Sequence, residues 1–264
     1  MSRALSLAAF WLAVLLTLAF VLCPLAVTVS VAFSNAQYLS FPPKGFTLSW
    51  FSSSLYNPEF IGPLALSLVL AAVVSLAATT LGTSAAIGVN ALSGQARSLI
   101  QNFLLSPLVF PMLVTGISLM QFYNAVHLDQ VFLQLTIGHV VVTLPYVMRA
   151  VSASLQSLDG RIDQAARSLG ASYIEAVLKV IIPNIKPGII AGGLFAFVTS
   201  FDNFPVSMWM YNAEYTPLPI AMLSLVQRTL DPSIAAMSTI TIVFSIGLAL
   251  LIERLFGLKK FATS

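Results

Sequence analysis

Six stretches of the chain are almost wholly apolar, and the polar positions between them come in short bursts. They run from about Leu5 to Phe33, Pro63 to Ala91, Leu99 to Ala125, Val131 to Leu155, Gly188 to Met210 and Ile234 to Leu255. Each reaches or exceeds the roughly 20 residues with which an α-helix crosses a hydrocarbon core. Surplus length predicts tilt or kinks. The pattern predicts an all-α, polytopic membrane protein with six transmembrane helices. Composition strengthens this: of 264 residues 58% are apolar and only 8% charged, too little polar surface to cover a water-soluble domain.

Pro107 and Pro111 predict a kink in the third helix, and small residues from Ala71 to Gly88 in the second and Gly116 in the third predict close packing. The segment from Ser34 to Gly62 reads as irregular structure with interfacial aromatic residues, either a connector on the membrane surface or a contact for a receptor. The first apolar run reads as a retained helix, being too long and lacking a clear cleavage site for a signal peptide. Cys23 is the sole cysteine, so the chain forms no internal disulfide.

One long run breaks the hydrocarbon pattern. Between Asp159 and Pro187 charge recurs at Asp159, Arg161, Asp163, Arg167, Glu175, Lys179 and Lys186. A short helix is predicted from about Ile162 to Leu169, closed by Gly170 as a left-handed cap. A second begins at Ser172, which forms a capping box with Glu175, and Glu175 and Lys179 stand at helical i,i+4 spacing. Pro183 is expected to end this helix and Pro187 to open the next.

Basic residues then predict orientation, because cytoplasmic loops retain Lys and Arg. With both termini inside, Arg3, Arg97, Arg149, Arg161, Arg167, Lys179, Lys186, Arg254, Lys259 and Lys260 are cytoplasmic, leaving Lys44 and Arg228 outside. The net charge of +3 is explained by this bias, and no nucleic-acid motif accompanies it.

Gln164-Ala165-Ala166, three residues, Gly170, nine residues, then Val180-Ile181-Ile182-Pro183 resembles the EAA loop of the membrane-spanning subunits of binding-protein-dependent ABC importers. Gln164 stands where that family usually has Glu, and Ile182 where it has Leu. The resemblance implies a type I ABC importer permease in the bacterial inner membrane. It assigns ATPase coupling to Asp163, Gln164, Ala165, Ala166, Leu169, Gly170, Tyr173, Val180, Ile182 and Pro183. Residues 1–62 then form the first helix with its external segment, and 63–264 the core permease domain, including coupling loop 159–187.

The same resemblance implies partners: a cytoplasmic ATP-binding subunit in two copies, a second related permease, an extracytoplasmic solute-binding protein, and membrane lipid. ATP and Mg belong to the ATPase, and no cofactor is expected here. The chain contains no Gly-x-x-x-x-Gly-Lys-Ser/Thr loop, no paired Cys or His ligand set and no nucleophile elbow, so it reads as a transport subunit, not an enzyme.

The fifth helix holds the chemistry for a solute path: Thr199, Ser200, Asp202, Asn203 and Ser207 fall on a broad face beside Pro205. A carboxylate within an apolar span faces a bundle interior or an aqueous cavity. Asp202 therefore lines a pathway or braces a broken helix. Trp209, Tyr211 and Tyr215 offer cation-π faces or interfacial anchoring. His139 and Gln134 in the fourth helix fit either an interhelical hydrogen bond or the pathway. His127, near Asp129, supplies no second metal ligand.

Ser200 to Ser207, Leu218-Pro219, Asp231 to Ala236, Gly138-His139 and Thr143 to Tyr146 together resemble the second permease of the spermidine/putrescine group. This implies a small organic solute, a polyamine or related amine, with Thr199, Asp202, Asn203, Ser207 and Trp209 along its path. The competing class is an ion- or proton-coupled secondary transporter using Asp202 and His139; another small solute is also compatible.

Overall fold

The computed structural model describes residues 2–158, 161–229 and 231–256, without the side chains of residues 2–5, 161, 164, 249 and 251–256. Asp159, Lys259 and Lys260, and the side chains of Arg3, Arg161, Gln164 and Arg254, therefore lie outside the described residues. Helices form every regular element among those described. Two compact units emerge, one of Met1–Ile61 with Met222–Leu248 and one of Gly62–Ala221 with Ala249–Ser264.

In the first unit, α1 (Ser2–Ala32) is followed by a short α2 (Ser49–Leu55). The segment from Ser34 to Gly62 is thus partly helical. Trp50 donates its indole N–H to the Ser34 carbonyl at 2.9 Å. Val31 and Ala32 bury against Ala235 and Ala236, near the start of α12 (Ser233–Phe256). Further along α1, Leu7, Phe10, Trp11, Leu15 and Phe20 are exposed, as suits a helix whose solvent is hydrocarbon.

The second unit contains most of α3 (Pro58–Ala91), α4 (Gly94–Leu105), α5 (Met112–Ala125) and α6 (Val131–Gln156). It continues with α7 (Arg161–Ser168), α8 (Tyr173–Ala176), α9 (Ile182–Phe201) and α10 (Phe204–Ser207). An α11 (Leu218–Arg228) lies where the sequence signalled no helix. Packing is extensive between α6 and α9, where Gly192 lets the backbones approach: an added Cβ would stand 2.9 Å from Val147 Cα.

Among the described residues four helices are long and apolar enough to cross a membrane, and five segments qualify if the bent α4–α5 pair forms one span. The expected single helix from Leu99 to Ala125 is corrected. It breaks between α4 and α5 with a change of direction of 101°, at the prolines that remove backbone donors. Pro183 does not end a helix either. The Ile182 N–H bonds to the Val177 carbonyl, making a π turn over Val177–Ile181, and this wider turn admits the proline ring without stopping the rod. Helical structure runs from Tyr173 to Phe201, with Pro187 inside it rather than opening it.

Candidate functional site

The charged loop is built from local signals. At the end of α7, Gly170 N–H donates to Arg167 O at 3.0 Å and Ala171 N–H to Ala166 O at 3.2 Å, the bond pair of a Schellman cap. Gly170 has φ +91° with open space where a side chain would point. The requirement there is conformational rather than steric.

Two residues later the capping box closes. Ser172 Oγ accepts from Glu175 N–H at 3.3 Å while Glu175 Oε2 accepts from Ser172 N–H at 3.1 Å. Lys179 Nζ reaches Glu175 Oε1 at 3.0 Å. Glu175, Lys179 and Lys186 are all exposed.

The ten residues assigned to coupling are distributed along this hairpin. Leu169, Gly170, Tyr173 and Pro183 are exposed, as is Ala165; Ala166, Val180 and Ile182 are half-buried. Ile174 and Leu178 add exposed apolar surface that the sequence reading did not single out. Asp163 turns the other way, into a cavity of about 200 Å³ lined also by Asn90, Leu155 and Tyr173. Its Oδ1 is buried without a hydrogen-bond partner. The Gln164 side chain lies outside the described residues.

At the other end of α9 the helix breaks at Asp202, the residue after its last turn. Asn203 then caps α10, its Oδ1 accepting from Val206 N–H at 3.1 Å, with Pro205 in the first turn, where a missing donor costs nothing. The sequence places Thr199, Ser200, Asp202, Asn203 and Ser207 on one broad face, with Trp209 beyond it; in the structure their burial differs. Asp202 is exposed and Thr199 half-buried, whereas Asn203 and Ser207 are buried. Trp209 is half-buried with its Nε1 unpaired, as is Asn203 Nδ2.

His139 makes the interhelical contact. Its Nδ1 lies 2.9 Å from Ser200 Oγ and its Nε2 3.0 Å from Ser207 Oγ, all three groups buried. Sequence reasoning named His139 and Ser207 but not their pairing. It named Gly116 and Gly138 as well, but not what fills the notch at each. A Cβ on Gly116 would stand 2.6 Å from Trp209 Cδ1, and one on Gly138 3.0 Å from Val206 Cγ1. Gly138 and His139 are adjacent, so one turn of α6 both receives α10 and bonds to it.

Residues 78–260 match the family described as binding-protein-dependent transport system inner membrane component. The spermidine/putrescine transport system permease protein PotC of Haemophilus influenzae is 30% identical over 234 residues, 88% of this chain and 90% of that one. The putrescine transport system permease protein PotI of Escherichia coli K12 is 30% identical over 234 residues, 86% of this chain and 83% of its own. Among solved structures, a bacterial ABC transporter involved in import of the acidic polysaccharide alginate superposes with a TM-score of 0.75. It is 14% identical and covers 100% of this chain and 98% of its own. An amino acid ABC transporter superposes with a TM-score of 0.60 at 19% identity, over 80% of this chain and 99% of that one. This chain belongs to the binding-protein-dependent transport system inner membrane components, the permease subunits of ABC importers.

Proposed function

We propose that this permease moves a polyamine or a related cationic amine into the cytoplasm, driven by ATP hydrolysed with Mg in a separate cytoplasmic subunit present in two copies. A second related permease completes the path, and an extracytoplasmic binding protein delivers the solute. Both termini and the loop from Asp163 to Pro183 face the cytoplasm. The observation that carries this reading is the unbroken helical connection between loop and span. A Schellman cap, a capping box and an ion pair fix the hairpin, which continues through the π turn into α9.

With 20 residues, α9 is about 30 Å long. A rod of that length carries motion of the loop to the break at Asp202. The exposed carboxylate there offers a cation the charge it needs, and the names of the two relatives favour an amine. Exposed Leu169, Tyr173, Ile174 and Leu178 supply an apolar surface for the ATPase to grip.

The test is ATP hydrolysis by this chain reconstituted with its companion permease, ATPase and binding protein, with spermidine, putrescine and unrelated solutes added in turn. Stimulation by an amine is expected. Stimulation only by another solute discards the amine while keeping the importer. Uptake that proceeds without the ATPase returns the chain to the ion-coupled class.

A further inference from the structure

An α10 of four residues cannot hold itself, because so short a helix gains few of its own hydrogen bonds against the entropy of ordering. Three external restraints fix it instead: the notch at Gly116, the notch at Gly138 and the imidazole of His139.

We propose that His139 is a positioning residue for the transport path, its ring bracing the break between α9 and α10 and so setting where the Asp202 carboxylate stands. Ser200 precedes Asp202 by two residues and Ser207 follows it by five. The imidazole joins the two hydroxyls and closes residues 200–207 into a loop with Asp202 on it. Within that loop Asn203 N–H donates to Ser200 O at 3.3 Å and Phe204 N–H to Asp202 O at 3.0 Å. These bonds bend the backbone, but none ties the loop to another helix. His139 does.

A neutral imidazole has one donor and one acceptor, so one serine donates to the ring while the other accepts from it. This arrangement uses both nitrogens. Among the described residues no cluster of His, Cys, Asp or Glu could hold a metal ion. When the ring is removed, each serine hydroxyl can turn back to a carbonyl of its own helix four residues earlier. Loss of His139 is therefore expected to free the break without unfolding the bundle.

This inference rests on the proposed role of Asp202, and two measurements separate them. In the reconstituted importer, His139→Leu should raise the half-saturating solute concentration about tenfold, the equivalent of two modest hydrogen bonds, with little change in maximal rate. His139→Gln, which carries both a donor and an acceptor, should recover most of the loss, and Ser207→Ala should fall between. In an Asp202→Asn background His139→Leu should add nothing. The same fold-change in both backgrounds overturns the proposal.

The second measurement needs no transported solute. In a Cys23→Ser background, the rate at which a membrane-impermeant maleimide labels Asp202→Cys is compared with His139 intact and with His139→Leu. A severalfold change is expected; an unchanged rate overturns the brace. If the unaltered importer ignores every amine but responds to another solute, the amine reading alone falls, and both comparisons are made with that solute.

Discussion

Gly116 of α5 lies so close to Trp209 that a methyl group on it would stand 2.6 Å from the indole Cδ1, 3.1 Å from Pro205 O and 3.2 Å from Val206 Cα. Two of those three neighbours are backbone, so rotating the indole cannot relieve the crowding. Gly116→Ala should destabilise the protein by about 1–3 kcal/mol, the usual cost of overpacking, and displace α10. Thermal unfolding in detergent would register the loss. An unchanged midpoint would mean that α5 and α10 separate easily.

The adjacent glycines of α9 should respond unequally. A Cβ at Gly192 meets Val147 Cα at 2.9 Å and Val147 O at 3.3 Å, whereas one at Gly193 meets the hydroxyl of Thr79 at 2.7 Å. The Thr79 side chain can change rotamer; the backbone of α6 cannot. Gly192→Ala should cost more than Gly193→Ala, by about 1 kcal/mol or more, as measured by the difference in unfolding midpoints. Equal costs would show that α6 and α9 shift apart freely.

Between α3 and α9, Ser75 donates to the Gly193 carbonyl at 2.6 Å. That carbonyl belongs to a helix interior and keeps a partner of its own. Interhelical hydrogen bonds of this kind contribute only about 0.6 kcal/mol on average in membranes. Ser75→Ala should therefore lower stability by less than either glycine substitution. A loss above about 2 kcal/mol would mark Ser75 as part of a larger polar network.

How far these relationships were legible in the chain depends on their range. The charged hairpin was readable because its determinants are local: Gly170, Ser172, Glu175 and Lys179 specify a turn and a cap within ten residues. The apolar runs showed the fold class for the same reason. His139 and Ser200 are 61 positions apart, and no periodicity in either helix announces which partner a buried imidazole will find. Pro107 and Pro111 announced a fault in the third span, but not a 101° turn, since a missing donor permits a bend without setting its direction. At Pro183 the same rule misled: a π turn absorbed the ring. Between Pro217 and Arg228, two prolines and a short apolar run concealed α11, whose first turn is tied by Ser67 Oγ accepting from Leu218 N–H at 2.8 Å.

Asp202 and Asn203 are neighbours with opposite surroundings, the first exposed and the second 3% exposed. Asp202→Asn removes charge at an accessible position and should weaken transport of a cationic solute while leaving stability within about 0.5 kcal/mol. Asn203→Ala removes the cap of α10 and should cost about 1 kcal/mol of stability. Parallel uptake and unfolding measurements distinguish the two. If Asp202→Asn destabilises the protein and leaves uptake unchanged, the carboxylate is a brace.

Gly170 tests the lever most directly, because its positive φ comes with empty space. Any loss on substitution must arise from the backbone and not from a clash. Gly170→Val should strain the reversal by about 1–2 kcal/mol and tilt α7 away from α8, whereas Gly170→Asn, better tolerated at positive φ, should be milder. Since the capping box and α9 lie beyond the turn, membrane insertion should be intact in both. The expected result is ATP hydrolysis that no longer follows solute addition in Gly170→Val, with partial coupling in Gly170→Asn. Normal coupled uptake in the valine variant would mean that force does not enter through the hairpin, and that α9 is moved by contacts further along its length.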